Sequence, residues 1–295
     1  MSEGGIGPVQ WQSASALSWD ALADVVNRGY AGYFMPIHIT PVHLQEMAIA
    51  WDIDLVSSPV ALDANGQPVA IGLLGVRGDR GWIGAVAVAP TWRRHGIGRA
   101  LVSRLIEAAR ACHLTSLTLE ALIVNVPAIA LYEAAGFRRQ RELLSWERAP
   151  EMGALPVPDV KAERAVPHTL VADFAAWHAT MPCWQADLPS LRARLNDCAG
   201  WVAREHGEPV AYALVAAQGD QVALLDVGVA PGRDARTTPR SLLQAIQLLH
   251  MDARLSLINL PAEDRLSRAL AALGFRVYAR QIEMGRETQS VKREA

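Results

Sequence analysis

The sequence predicts an α/β (α+β) protein built from two successive copies of one fold, each a mixed, mostly antiparallel sheet flanked by helices. The chain has 295 residues, about twice the length of a usual domain. An apolar strand, a basic glycine turn and an amphipathic helix follow one another over residues 82–112. In addition, Val88-Ala-Pro90 recurs as Val229-Ala-Pro231, and Gly136-Phe137 recurs as Gly274-Phe275, which indicates a duplication.

Composition and charge narrow the class of protein. The chain is 51% hydrophobic and 20% charged, as in globular proteins with sizeable cores. Its net charge of −2 gives no support for a nucleic-acid or anionic-membrane partner. No apolar run reaches the roughly 18 residues of a membrane-spanning helix, and the first stretch, MSEGGIGPVQ, has no secretory signal. Three cysteines without metal-ligand spacing favour reduced thiols, no metal site and a cytoplasmic location.

Capping and turn residues organise the first part of the chain. Ser18 is suited to cap a helix over residues 19–28, and Thr40 before Pro41 predicts a second helix that ends near Trp51. Asn-Gly at 65–66, between two apolar runs, predicts a β-hairpin. The predicted strands here are residues 9–12, 59–62 and 68–76. The last two form an antiparallel meander with the strand that follows.

The centre of the pattern is the strand, turn and helix over residues 82–112. Residues 82–89 are apolar without alternation, as in a strand buried on both faces. Apolar residues recur at helical spacing from Gly98 to Cys112, and the turn between the two elements carries Arg93, Arg94 and Gly96. A helix N-terminus offers unpaired N–H groups and partial positive charge, and glycine admits close approach. The combination therefore predicts an anion site.

Other turns share part of this pattern. A dinucleotide-binding turn has a third glycine where this chain has Leu101, and a P-loop requires a G-K-[ST] sequence that is absent. An ordinary strand-to-helix connection, in which the glycines only relieve strain, stays open on the residues of the turn alone.

A second strand and helix follow. Residues 114–122 are a predicted strand, and the sequence from Asn125 to Phe137 predicts a helix. Pro127 suits the first turn of that helix and Gly136 suits the position just past its end.

These two stretches resemble motifs A and B of the GNAT N-acetyltransferase superfamily. Arg93-Arg-His-Gly96-Ile-Gly98 fits [QR]-x-x-G-x-[GA] after a V-x-V-x-P strand end, and residues 125–137 fit N-x-x-A-x-x-L-Y-x-x-x-G-F. The resemblance covers about residues 9–148 and implies a GNAT fold, acetyl-CoA as co-substrate and acetyl transfer to an amine.

The resemblance also implies roles for individual residues. The turn would bind the diphosphate of coenzyme A, and the strand edge at 86–88 would pair with pantetheine. Tyr132 would give a proton to the leaving thiolate, with a packing role as the alternative. Asn125 would contact the pantetheine arm or cap its helix. The implied cofactor-binding residues are Val86, Ala87, Val88, Arg93, Arg94, His95, Gly96, Ile97, Gly98, Arg99 and Asn125.

The general base and the acceptor are less defined. Many family members place a carboxylate on the central strand, but residues 82–89 contain none. Glu120 on the next strand is the best remaining candidate, and a solvated, outward-facing glutamate is the competing interpretation. His38 and His95 are alternatives. Tyr33, Phe34 and His38 are expected to line the acceptor pocket, and their aromatic surroundings favour a small, partly apolar amine.

The second copy keeps the fold signals and loses the ligand chemistry. With the Val-Ala-Pro motifs aligned, Arg93 becomes Asp234, Gly96 becomes Thr237 and Gly98 becomes Pro239. Proline removes a donor, and Asp234 places negative charge where the diphosphate would lie. We therefore expect this copy to serve as a scaffold without coenzyme A, with another ligand or another pose as the alternative. The predicted second-copy elements are strands at 201–206, 209–217 and 223–229, and a helix over 238–251 with Pro239 at its first position.

The resulting hypothesis is a tandem acetyltransferase. An N-terminal catalytic domain spans residues 1–148, a proline-rich linker residues 149–160 and a degenerate C-terminal domain residues 161–295. We expect a monomer whose two copies pack as a pseudo-dimer and which acts on a small-molecule amine. A non-catalytic acetyl-CoA-binding regulatory module is the alternative.

Overall fold

The computed structural model describes residues 7–150, 162–172, 174–178 and 180–288. Most of the predicted linker at 149–160 lies outside the described residues. The chain divides into two compact units. Unit 1 comprises Met1–Gln140 with Ile282–Ala295, and unit 2 comprises Arg141–Gln281. Within the ranges described, we find no helix with the length and apolar character needed to cross a membrane.

Unit 1 is a mixed sheet with helices on both faces. The strand order β1-β2-β3-β4-β5 follows the chain. Neighbouring strands pair antiparallel, except β4 and β5, which pair parallel. The elements are β1 (Gln10–Ser13), α1 (Trp19–Gly29), α2 (Pro41–Ala50), β2 (Pro59–Leu62), β3 (Pro68–Arg77), β4 (Arg80–Val88), α3 (Ile97–Ala111), β5 (Ser116–Leu122) and α4 (Val126–Ala134).

Unit 2 repeats this succession of a meander, a parallel strand and helices. Strand β6 (Arg138–Arg148) begins in unit 1 and continues in unit 2, and β12 (Arg276–Glu287) does the reverse. Strand β10 pairs parallel with β11 and antiparallel with β9. The other elements are β7 (Ala162–Ala165), α5 (Pro167–Leu170), α6 (Phe174–Trp177), α7 (Leu188–Arg192), β8 (Ala199–Glu205), β9 (Glu208–Gln218), β10 (Gln221–Val229), α8 (Arg240–Leu249), β11 (Arg254–Pro261) and α9 (Leu266–Ala272).

The predicted local signals in unit 1 are confirmed. The Ser18 hydroxyl accepts a hydrogen bond from the Ala21 N–H at 3.3 Å and caps α1. Thr40 caps α2 in the same way, and Gly66 has φ +76° in the β2–β3 turn. In unit 2 the helix prediction is slightly wrong. Pro239 is the N-cap rather than the first helical residue, and α8 ends at Leu249.

The compact units divide the chain differently from the predicted domain boundaries. Residues 141–148 belong to unit 2, and residues 282–287 of the last strand belong to unit 1. The reason is packing: Met284 is fully buried in the same cluster as Leu117 and Phe137. The Thr288 N–H then donates to the Thr115 carbonyl at 3.1 Å. Strand period alone does not tell which sheet an apolar strand joins.

The role of the last strand in unit 1 is testable with Met284→Ala. Loss of this side chain leaves a cavity, so the free energy of unfolding should fall by about 3 kcal/mol. Hydrogen exchange measured by mass spectrometry should accelerate in β5, which lies in the same unit. Arg280→Ala, on the same strand but exposed and in a surface ion pair with Glu142, should cost less than about 1 kcal/mol. Equal effects of the two substitutions would contradict the assignment.

Candidate active site

The basic glycine turn has the backbone of an anion site. Gly96 is the N-cap of α3 with φ +80°, and Arg94 has φ +70°. A Cβ on Gly96 would meet no atom within 4 Å, so the backbone conformation rather than crowding calls for glycine there, and the space beside it is open. The turn therefore exposes its backbone on one side.

The first turn of α3 has backbone N–H groups that are free to donate. Gly96, the N-cap, has no side chain with which to accept from them, and the first turn carries no acidic residue. The Ala100 N–H reaches the Gly96 carbonyl at 3.0 Å, but no acceptor for the amides of residues 97–99 is found among the described residues. These free N–H groups, the positive end of the helix and the exposed Arg94 and Arg99 side chains can bind a phosphate or diphosphate.

Two predicted side chains at the turn have other roles in this structure. The Arg93 guanidinium donates to the carbonyls of Val88 (3.1 Å), Gly29 (3.0 Å) and Ala31 (2.9 Å). It thereby fixes the end of β4 to the end of α1, whereas the sequence predicted that it would bind the diphosphate. His95 donates from Nδ1 to the Arg93 carbonyl at 2.7 Å, which stabilises the turn itself.

A gap opens in the sheet beside this turn. The parallel pairing of β4 with β5 runs from Arg80–Ser116 to Ile83–Leu119 and stops there. From Gly84 onward, β3 is the strand partner of β4 among the described residues. The backbone of Val86, Ala87 and Val88 therefore has one edge available, as the sequence analysis expected. Such an edge can hydrogen-bond an amide-rich ligand as an added strand would.

A β-bulge at Gly84 turns the side chains that follow. Leu73 pairs with Ala85 and Leu74 with Ile83, which leaves Gly84 as the extra residue. A Cβ on Gly84 would collide with the Trp82 ring. Beyond the bulge, Ala85 and Ala87 pack with α1 and α2, while Ile83 packs with α3 and α4. The bulge thus leaves room for the indole beside the gap.

Glu120 lies where the two strands part. It follows Leu119, the last paired residue of β5, and its Oε2 accepts a hydrogen bond from the Trp82 indole N–H at 2.8 Å. Its Oε1 is shielded from solvent, so the outward-facing, solvated interpretation is wrong. Trp82 is 2% exposed and packs edge-on against Trp51 at 5.6 Å. The carboxylate is therefore held by an indole that Trp51 packs against.

Two tyrosines just after α1, Tyr30 and Tyr33, lie close enough to Tyr132 on α4 to affect its hydroxyl. Tyr30 and Tyr33 pack edge-on at 5.1 Å, and the Tyr33 hydroxyl hydrogen-bonds the Asn125 side chain. Tyr132 is 8% exposed and packs edge-on against Phe137 at 6.1 Å. Burial raises the pKa of the Tyr132 hydroxyl above its ordinary value, and Tyr30 and Tyr33 raise it further. Tyr132 is therefore a protonated hydroxyl that can donate.

The structure brings some of the predicted residues together and leaves others apart. Asn125 caps α4 by accepting from the Ala128 N–H at 3.3 Å, which confirms the capping alternative. Phe34 packs edge-on against Tyr33 at 5.4 Å but is 58% exposed. His38 is exposed, and within the described residues no hydrogen bond or ring contact joins it to the tyrosines. Of the predicted acceptor residues, Tyr33 is the one within the cluster.

The sequence placed Tyr30 in the aromatic approach to the acceptor, and the structure packs its ring against that of Tyr33. Sequence reasoning missed Trp82 as a member of this site. Trp82 gave no signal in the sequence, because its hydrogen-bond partner lies on another strand far along the chain.

The corresponding turn in unit 2 is closed by its own side chain. Asp234 accepts hydrogen bonds from the Arg236 N–H at 3.0 Å and the Thr237 hydroxyl at 3.3 Å. The Asp234 carbonyl accepts hydrogen bonds from the Thr237 and Thr238 N–H groups, and Pro239 has no N–H. The amides that are free in unit 1 are thus satisfied or missing in unit 2.

Comparison with known proteins agrees with this geometry. The model of the acetyltransferase (GNAT) family matches residues 24–137, which contain the turn, the gap and Tyr132. This region is therefore similar to the GNAT acetyltransferases. The [ribosomal protein bS18]-alanine N-acetyltransferase of Escherichia coli K12 is 38% identical over 76 residues, 26% of this chain and 51% of that protein. N-alpha-acetyltransferase 30 of Saccharomyces cerevisiae is 37% identical over 67 residues, 23% of this chain and 38% of its own.

The chain thus spans about half or less of the length of these two curated relatives. Solved structures extend the likeness in fold to the whole chain. A GCN5-related N-acetyltransferase from Sphaerobacter thermophilus has a TM-score of 0.74 at 16% identity, over 96% of both chains. A tandem GNAT protein from the clavulanic acid biosynthesis pathway has a TM-score of 0.66 at 16% identity, over 97% of this chain and 100% of its own. The fold is therefore a GNAT fold, a mixed sheet flanked by helices.

The role of the turn can be tested with two matched glycines. Gly96 and Gly66 both have φ near +80° and open space where a Cβ would stand. Substitution by alanine should cost each about 1 kcal/mol of stability, because alanine disfavours left-handed backbone. Only Gly96→Ala should weaken binding of coenzyme A, by about tenfold, because strain at this left-handed residue shifts the amides of residues 97–99 that would donate to the diphosphate. Titration calorimetry measures this, and equal affinities of the two variants would contradict the site.

Proposed function

We propose that this chain is an acetyl-CoA-dependent N-acetyltransferase whose reaction takes place in unit 1. The observation that carries the proposal is the adjacency of two features. Free amides at the start of α3 suit a diphosphate, and the unpaired edge of β4 suits the amide groups of pantetheine. GNAT proteins use acetyl-CoA as co-substrate, and the residues present here fit that molecule.

The residues of the turn would divide the binding between them. The amides of Ile97, Gly98 and Arg99 donate to the diphosphate, while the side chains of Arg94 and Arg99 add charge. Arg93 and His95 hold the turn in shape. A backbone N–H between Val86 and Val88 can polarise the thioester carbonyl as negative charge develops on its oxygen.

Two side chains would move protons during the transfer. An attacking amine must be neutral, and the Glu120 carboxylate is positioned at the gap to take its proton, directly or through water. The amine nitrogen then bonds to the acetyl carbon as the carbon–sulfur bond breaks. The Tyr132 hydroxyl, kept protonated by its burial, gives a proton to the departing thiolate. The presence of both groups favours an enzyme over a binding module.

The acceptor we propose is a small, partly apolar primary amine. The rings of Tyr33 and Phe34, which pack against each other, would line its approach. The named relatives of E. coli and yeast acetylate protein α-amines, so peptides that begin with alanine belong in any acceptor panel.

We infer further that the chain is a tandem duplication in which only unit 1 binds acetyl-CoA. Beyond the Val-Ala-Pro and Gly-Phe repeats, Phe34-x-x-x-His38-x-Thr40 recurs as Phe174-x-x-x-His178-x-Thr180. The Asp234 cap and Pro239 leave unit 2 without the donors that the diphosphate needs.

Proton donation by Tyr132 predicts the effect of Tyr132→Phe. With acetyl-CoA and an accepted amine, kcat should fall about hundredfold while the affinity for coenzyme A stays unchanged. Release of the free thiol measures the rate. Tyr278→Phe, which removes a hydroxyl in unit 2, is the matched control and should keep full activity. An unchanged kcat in Tyr132→Phe would leave Tyr132 a packing residue.

The proposed role of Glu120 in removing the amine proton predicts that its substitution also lowers activity. Glu120→Gln keeps the size of the side chain but has no basic oxygen, so kcat/KM should fall at least about hundredfold at neutral pH. The panel should contain alkylamines, amino-acid amides and alanine peptides. If the natural chain binds acetyl-CoA but releases no thiol with any of them, the regulatory module replaces the enzyme as the better account.

A further inference from the structure

The hydrogen bond between Trp82 and Glu120 joins β4 and β5 at the point where the two strands part. In the parallel pairing, Trp82 lies opposite Thr118, and Glu120 is two residues further along β5. Side chains two residues apart on a strand share a face of the sheet, so Glu120 lies on the same face as Thr118 and Trp82. The indole N–H therefore reaches diagonally across the strands to Oε2 of Glu120, at 2.8 Å.

Packing sets the direction in which this N–H points. Trp82 is almost fully buried, and a Cβ on Gly84 would collide with its six-membered ring. The ring of Trp51 packs edge-on against the same indole at 5.6 Å. A large side chain in such close contact cannot turn without displacing its neighbours. The donor is thus held by the core, whereas Glu120 alone would have several rotamers.

Trp51 is in turn fixed to the sheet. It follows the last residue of α2, and the next residue, Asp52, accepts a hydrogen bond from the buried Arg77 guanidinium at 2.6 Å. Arg77 also donates to the Ala50 carbonyl at 3.2 Å, and the Val76 N–H donates to the Asp52 carbonyl at 2.9 Å. The end of α2 is therefore attached to β3, the strand next to Trp82. The ring of Trp51 is held against the indole as a result.

A fixed donor has two effects on a carboxylate that acts as a base. It restricts the rotation of the glutamate side chain, so that less entropy is lost when the carboxylate is aimed at a reacting proton. It also favours the ionised form of the carboxylate, which is the form that can take a proton.

Tryptophan suits this task better than other donors would. The indole nitrogen is a donor only, so it cannot accept the proton that Glu120 takes up. A tyrosine or histidine at position 82 could exchange a proton with the carboxylate. The hydrogen bond from Trp82 therefore orients the base without competing for its proton.

We propose that Trp82 is a positioning residue for proton removal, whose indole N–H fixes the Glu120 carboxylate at the parting of β4 and β5. This inference rests on the function proposed for unit 1, in which Glu120 takes the proton of the attacking amine. Trp82 exchanges no proton itself, and its effect on the reaction passes through Glu120.

Replacement of the indole by an isostere without the N–H tests the proposal. Trp82→benzothienylalanine has sulfur in place of the N–H and keeps the two fused rings, so the contact with Trp51 remains. With acetyl-CoA and an accepted amine, kcat should fall about tenfold, while KM for acetyl-CoA stays unchanged. The acid limb of kcat against pH should move up by about one pH unit, because the ionised carboxylate has lost a donor.

A buried tryptophan of unit 2 provides the matched control. Nε1 of Trp146 is also shielded from solvent, but it has no hydrogen-bond partner within the ranges described. Trp146→benzothienylalanine should therefore keep the kcat and the pH profile of the natural chain. A loss of activity equal to that of the Trp82 variant would show that the isostere acts through packing, and would overturn the proposal.

NMR of the natural chain provides a second measurement that requires no change at Trp82. Among the indole N–H signals of the nine tryptophans, one should shift as the Glu120 carboxylate is protonated. That titration should be absent in Glu120→Gln, which has no ionisable group at this position. If every indole signal titrates alike in the two chains, the hydrogen bond does not report on Glu120 and the proposal is wrong.

The double variant separates this inference from the proposed function. In the Glu120→Gln chain, loss of the Trp82 N–H should lower kcat no further, because the two residues act as one unit. Additive losses would overturn the positioning role. If Glu120→Gln is impaired but Trp82→benzothienylalanine is not, only the role of Trp82 fails. If Glu120→Gln retains full activity, the base proposed for unit 1 is wrong, and the role of Trp82 fails with it.

Discussion

The parting of β4 from β5 after Ile83 and Leu119 is the constraint on which the rest of unit 1 depends. Because the parallel pairing stops there, one edge of β4 stays available, and the start of α3 lies beside it with free amides. The Gly84 bulge at the same point leaves room for the Trp82 indole, which holds Glu120. In the proposed reaction, phosphate binding, pantetheine pairing and proton removal would therefore all depend on one local break in the sheet.

The sequence could predict interactions between residues that are close in the chain, but not those between residues that are far apart in it. Caps and turns depend on neighbours within a few residues, so Ser18, Thr40 and the hairpin at Gly66 were predictable. The left-handed glycine that begins α3 was predictable for the same reason. The Trp82–Glu120 hydrogen bond was not, because it joins two strands whose register only the folded sheet defines.

The boundaries of the two units show the same difference between local and long-range interactions. Prolines near residue 155 predicted a simple boundary, but the end of β12 contributes Met284 to the core of unit 1. Repeat motifs predicted that the two halves share a fold, and the differences between them predicted a different turn in unit 2. The hydrogen bonds of Asp226 with His178 and Tyr212 were not predictable, because the three residues come from separate elements.

A crystal structure of the chain grown with coenzyme A tests the central claim most directly. The account predicts one molecule per chain in unit 1. Its diphosphate should lie on the amides of residues 97–99, and its sulfur should lie within hydrogen-bond reach of the Tyr132 hydroxyl. Coenzyme A bound at the turn beside Asp234, or bound in unit 1 with its sulfur away from both Tyr132 and Glu120, would contradict the account.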